Sequence, residues 1–105
     1  MYSRLKEDAA EKAFTDIGFV LIEDTGRRKK HVADRLMRHP NCNISIAIDH
    51  KSTTNKGNIT ITKEMLDKIR EEAGDDMIPV ITFSLFGLGR KFLVMEISDL
   101  GLFCN

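Results

Sequence analysis

The chain has 105 residues, 42% hydrophobic and 30% charged, which is the size and composition of one globular domain. Sixteen Lys and Arg balance sixteen Asp and Glu, which excludes a polybasic protein that binds by total charge and leaves room for a locally basic face. Two cysteines exclude a disulfide framework or an all-cysteine zinc site, and no apolar run approaches the roughly 18 residues of a membrane span.

Residues 4–17 are predicted to form a helix, because Leu5, Ala9, Ala13, Phe14 and Ile17 fall on one stripe near period 3.6. Ser3 suits its N-cap and Gly18 its stop. Phe19-Val20-Leu21-Ile22 is a short apolar run, read as a buried strand, which Asp24-Thr25-Gly26 breaks. Arg27–His31 is a polar loop, Val32–Arg38 a strand candidate, and His39-Pro40-Asn41 a turn. Ile44–Ile48 alternates with period two, with its isoleucines facing one way. Ser45, Ala47, Asp49 and, if the strand continues, Lys51 face the other. A polar loop, Ser52–Gly57, leads through Asn58–Ile61 to a helix capped by Thr62. That helix carries Met65, Leu66, Ile69 and Ala73 on its stripe and ends at Gly74. Ile78–Ser84 and Lys91–Ile97 are two more strands, joined by a turn containing Gly87 and Gly89. Helix, three strands, helix, two strands describes a mixed α/β domain around one sheet.

The zero total charge hides an asymmetry. Residues 7–24 hold Glu7, Asp8, Glu11, Asp16, Glu23 and Asp24 against Lys12. Residues 25–38 hold Arg27, Arg28, Lys29, Lys30, Arg35 and Arg38 against Asp34. The informative triplet is Asp49-His50-Lys51, in which a strand would place the acid and the lysine on one face. An ion pair at a strand end is the bland reading. If the strands at 32–38 and 44–49 pair as a hairpin, however, Asp34 approaches Asp49. Two close carboxylates repel unless a cation lies between them. Mg²⁺ takes oxygen ligands of this kind, often together with substrate phosphates, and can activate a water against a phosphodiester. The lysine would orient that water or neutralise developing charge, and the basic loop suits a phosphate backbone. By contrast, His31, His39 and His50 lack metal-ligand spacing and read as surface or packing residues. Gly87-Leu88-Gly89 is a lone G-x-G followed by a strand rather than a helix, and Cys42 and Cys104 are incidental thiols.

Asp34 followed by Asp49-His50-Lys51 resembles the signature of the PD-(D/E)xK nuclease superfamily. The wider likeness, over about residues 5–97, is to the archaeal-type Holliday junction resolvases. In that family a glutamate on the first helix precedes Gly-Phe and an apolar strand, as Glu7 precedes Gly18-Phe19-Val20. A Ser-Gly, a basic loop and an aspartate follow, matched by Thr25-Gly26, Arg27–Lys30 and Asp34. An acid-x-Lys-Ser element is matched by Asp49-His50-Lys51-Ser52. Ala33 replaces the usual proline and Asp49 the usual glutamate. Lys63 and Glu64 stand where the second helix would begin with a glutamine.

The resemblance implies a restriction-endonuclease-like α/β core over residues 1–105, a central mixed five-stranded sheet flanked by helices. It implies a metal-dependent endodeoxyribonuclease that makes paired nicks in four-way DNA junctions. Glu7, Asp34 and Asp49, with the main-chain carbonyl of His50, would hold Mg²⁺, for which Mn²⁺ is expected to substitute. Lys51 would act on the attacking water, and Glu11 competes with Glu7 for the helix position. Thr25, Arg27, Arg28, Lys29, Lys30, Arg35, Ser52 and Lys56 would contact the DNA. Two symmetric nicks imply a homodimer, for which Leu100, Leu102 and Phe103 offer apolar surface. The N-terminal MYSRLKEDAAEKAF is too charged for a secretory signal, so a cytoplasmic location is expected, in a host cell if the gene is viral, with no membrane partner. The alternatives are another nuclease of the superfamily, phage or restriction-like, and a non-catalytic DNA-binding module of the same fold.

Overall fold

The structure, a computed structural model, describes residues 10–22, 33–52, 58–84 and 90–104, without the side chains of Ser52 and Cys104. The helix predicted over 4–17 is described from Ala10 onward; residues 10–15 are helical and are termed α1. Its end is a Schellman turn. The Phe19 and Gly18 amides donate to the carbonyls of Phe14 and Thr15, both at 3.1 Å, and the Phe14 and Phe19 rings meet edge to face at 5.4 Å. Gly18 has φ +106°, and a Cβ there would stand 2.5 Å from His39 Nε2, so the position requires glycine.

The chain then enters β1 (Val20–Leu21), shorter than the four-residue apolar run, and reaches β2 (Arg35–His39) and β3 (Ile44–Ser52). β2 runs antiparallel to both, with Leu21 opposite Met37, Arg35 opposite Ile48 and His39 opposite Ile44. His39, expected in the turn, therefore closes the strand instead. The turn that follows places Asn43 at φ +55°, a conformation asparagine tolerates, and the Asn43 amide donates to the His39 carbonyl at 2.9 Å.

Helix α2 (Lys63–Ala73) begins and ends where its sequence directs. The Thr62 hydroxyl accepts the Met65 amide at 3.2 Å, and the Met65 sulfur accepts the Thr62 amide at 3.4 Å. Gly74 terminates the helix at φ +71°. The chain then returns as β4 (Ile78–Ser84), parallel to β3, and β5 (Lys91–Val94), antiparallel to β4. The result is a mixed five-stranded sheet in the order β1-β2-β3-β4-β5. Pro79 lies in the part of β4 beyond β5, whose pairing covers only Ile81–Ser84, so its missing N–H interrupts no β4–β5 bond.

Alternation along β3 sorts the core into two layers. Ile44, Ile46 and Ile48 pack with Phe14, Phe19, Met37, Ile78 and Val80 on the α1 side. Ala47 packs with Ala33, Leu36, Ile69, Ala73 and Ile81 on the α2 side. Small residues at Ala47 and Ala73 let α2 approach the sheet closely.

One expectation about the tail is corrected. The strand predicted over 91–97 stops at Val94, and α3 (Ile97–Leu100) and a 3₁₀ turn (Gly101–Cys104) follow. The cause is an anchor distant in sequence: Arg70 of α2 hydrogen-bonds to Glu96 and, at 3.0 Å, to Asp99. Its guanidinium is held still higher above its ordinary pKa by the Glu96 bond, with help from Asp99. Phe103 packs against the α1-side core, leaving Ile97, Leu100 and Leu102 as the exposed apolar residues of the tail. Among the described residues no helix is long and apolar enough to cross a membrane.

Candidate active site

β3 is longer than its neighbour on one side. The β2 pairing ends at Arg35–Ile48, while β3 continues through Ser52. Among the described residues this leaves a notch beside β3, ahead of Arg35, and Asp34 sits in it, at the bend immediately before Arg35 rather than within the strand. Its Oδ2 accepts the His50 amide at 2.9 Å, so a carboxylate continues the ladder where the β2 backbone stops.

Asp49 and Lys51 project on the Ala47 side of β3, which is the α2 side, and form an ion pair at 3.1 Å. Their side chains are 20% and 35% exposed, which leaves both within reach of a polymer at the surface. Asp34 thus meets the β3 backbone at His50, the residue between Asp49 and Lys51, at one end of the β2–β3 hairpin. In a strand the N–H and C=O of one residue point to the same side, so the His50 carbonyl opens toward this notch as well. The His50 imidazole projects to the opposite face, where Nδ1 is hydrogen-bonded to the Thr82 hydroxyl at 2.8 Å. Thr82 is 4% exposed, so this bond satisfies a buried hydroxyl.

Arg35 was expected at the DNA, but its guanidinium lies half-buried between α1 and the sheet. Nε donates to Glu11 Oε1 at 2.7 Å and Nη1 to the Asp34 carbonyl at 2.9 Å. Glu11, the competing candidate for the helix carboxylate, is therefore neutralised by Arg35 in a pair that ties α1 to the backbone of Asp34. Glu7, Thr25, Arg27, Arg28, Lys29, Lys30 and Lys56 lie outside the described residues, as does the Ser52 side chain. The sequence reading did not anticipate the Asp34–His50 bond, the His50–Thr82 bond or the Arg35–Glu11 pair. The only trace of the last in the sequence is an acid on the buried side of α1 and an arginine beside Asp34.

Among the described residues the candidate donors around the notch are oxygens: two carboxylates and a main-chain carbonyl. That chemistry fits a hard divalent cation such as Mg²⁺, which is often held by one or two carboxylates with substrate phosphates completing the shell. Among the described residues no group of three or more His, Cys, Asp or Glu is gathered as a metal cluster. Two hollows of about 350 and 360 Å³ lie elsewhere, one between α1 and β4–β5 and the other between α2 and β4–β5. No protein-family model matches the chain, and no curated protein and no solved structure matches it significantly.

Proposed function

We propose that the protein is a metal-dependent endodeoxyribonuclease acting on branched DNA, a Holliday junction resolvase of the restriction-endonuclease-like type working as a homodimer. The observation that carries this reading is the meeting of Asp34, Asp49 and Lys51 at one end of the β2–β3 pair. Asp34, Asp49 and the His50 carbonyl would hold the cation, with Glu7 a further candidate. When bound, such a cation supplies an acidified water and stabilises the leaving oxygen.

The chain's own residues do the rest. Asp34 is fixed by the His50 amide, so its second oxygen keeps a defined direction. Lys51 is held by Asp49 beside the position the scissile phosphate would take. There its ammonium can orient the attacking water and offset the charge that grows on the phosphoryl oxygens. Arg35 keeps α1 against this end of the sheet through Glu11. The exposed Ile97, Leu100 and Leu102 are available to an interface between two copies.

Cleavage of a labelled four-way junction, with linear duplex of the same arms as control, tests the reading. Wild type in Mg²⁺ should place paired symmetric nicks in the junction only, and Asp49→Asn or EDTA should abolish them. Equal cutting of linear duplex would keep the nuclease and discard the junction. Tight binding without cutting would favour a DNA-binding module that kept the fold.

A further inference from the structure

The row of residues that starts at Lys51 continues across the sheet. Lys51 pairs with Phe83 on β4, and Phe83 pairs with Phe92 on β5. All three stand on the α2 side, because Phe83 and Phe92 are two residues from Ile81 and Val94 of that core layer. The two rings stack at 5.4 Å with 21° between their planes. The Arg90 guanidinium lies 5.6 Å from the Phe92 centroid. Both rings are half-buried, Arg90 is exposed, and neither ring packs against either core cluster among the described residues.

A cross-strand aromatic pair steadies a hairpin by about 0.2–1 kcal/mol. Hairpin stability alone, however, does not require the pair to sit in line with the candidate catalytic lysine and under a cation. We infer that Phe83, Phe92 and Arg90 form a stacking subsite for an unpaired nucleobase of the DNA strand being cut; this rests on the nuclease reading above. Aromatic faces flanked by cations are how proteins hold single-stranded nucleic acid, because every base offers a π-face and every phosphate a negative charge. A base inside an intact duplex is already stacked on both faces and cannot enter. A base freed at a branch point can. Two strand spacings, roughly 10 Å, separate Lys51 from Phe92, so the base belongs to a nucleotide at or next to the cleaved phosphate. The subsite thereby gives a physical basis for preferring branched over linear DNA within a single subunit.

The test uses a duplex carrying one unpaired 2-aminopurine, and an uninterrupted duplex of the same sequence, both in EDTA so that nothing is cut. Wild type should quench the unpaired 2-aminopurine on binding. Phe92→Leu keeps apolar bulk but removes the ring. It should bind the interrupted DNA between about fivefold and a hundredfold more weakly and lose the quenching, with affinity for the intact duplex unchanged. Phe92→Tyr should restore both, and Arg90→Gln, at an exposed position, should weaken the same DNA selectively. Absence of quenching by wild type overturns the subsite without recourse to any variant. So does an equal loss on both DNAs, or no loss on either. Wild type that still cuts junctions in Mg²⁺ while Phe92→Leu binds normally would remove the subsite and leave the nuclease standing. Wild type that neither binds nor cuts would remove both.

Discussion

Replacing Asp34 with alanine should cost stability together with any cleavage, whereas asparagine should cost the cleavage alone. The reason lies in the bond at 2.9 Å from the His50 amide to Asp34 Oδ2. β3 runs past Arg35, the first residue of β2, so no β2 carbonyl stands opposite that amide. Alanine removes the acceptor and leaves a half-buried donor. Hydrogen bonds to charged groups contribute about 1.5–3 kcal/mol, and partial access of water at His50 places the expected loss near the low end, about 1–2 kcal/mol. For a domain of this length, 1 kcal/mol corresponds to roughly 4–5 °C in Tm, so alanine should lower Tm by about 5–9 °C. Asparagine retains an oxygen at the same place, and its loss should stay below about 1 kcal/mol. Urea unfolding with unchanged slope, alongside thermal melts, reads the difference. If alanine and asparagine were equally destabilising, or alanine were as stable as wild type, the ladder-continuing role of the carboxylate would be refuted. An asparagine variant that cut junctions at the wild-type rate would remove Asp34 from the chemistry.

Two further substitutions test the packing that positions the site. Gly18→Ala adds a left-handed backbone penalty of about 1–2 kcal/mol and a Cβ placed 2.5 Å from His39 Nε2, for a total of about 2–4 kcal/mol. In a His39→Ala background the contact is relieved and only about 1–2 kcal/mol should remain; a double-mutant cycle with no coupling would contradict this. Ala47→Leu forces bulk between β3 and α2 where Ala47 has no exposed surface, and should cost about 1–3 kcal/mol. Ile46→Val, on the opposite face of the same strand, should cost only about 0.5–1.5 kcal/mol. Chemical denaturation of both reads the ranking, and the reverse order would mean that the two faces are assigned wrongly.

What was legible in the sequence is what local chemistry decides. Thr62 and Gly74 bound α2 because capping involves only neighbouring backbone groups. Alternation at Ile44, Ile46 and Ile48 assigned the faces of β3, and Ile78–Ser84 was read as a strand with the bounds it has. The pairing of β2 with β3 was legible because a tight turn joins them. What was not legible depends on partners far along the chain. Ile97–Leu100 has no strong helical signal of its own, and its path is decided by Arg70 reaching Glu96 and Asp99. Arg35 looked like one more cation of a basic segment, and only the packing of α1 shows Glu11 as its partner. The alignment of Lys51, Phe83 and Phe92 needs the register of three strands, which no single segment encodes.

His50 also bears on the order in which the chain assembles. Its amide reaches Asp34, sixteen positions back, and its ring reaches Thr82, thirty-two positions ahead. Closing the second loop costs only about 0.6 kcal/mol more in chain entropy than closing the first. The first contact needs only the hairpin, however, whereas the second waits for α2 to form and carry β4 back alongside β3. The acidic end of the notch therefore belongs to the short-range, early-forming part of the fold. The aromatic row beside Lys51 belongs to the long-range part, and the two become one surface only when the parallel ladder closes.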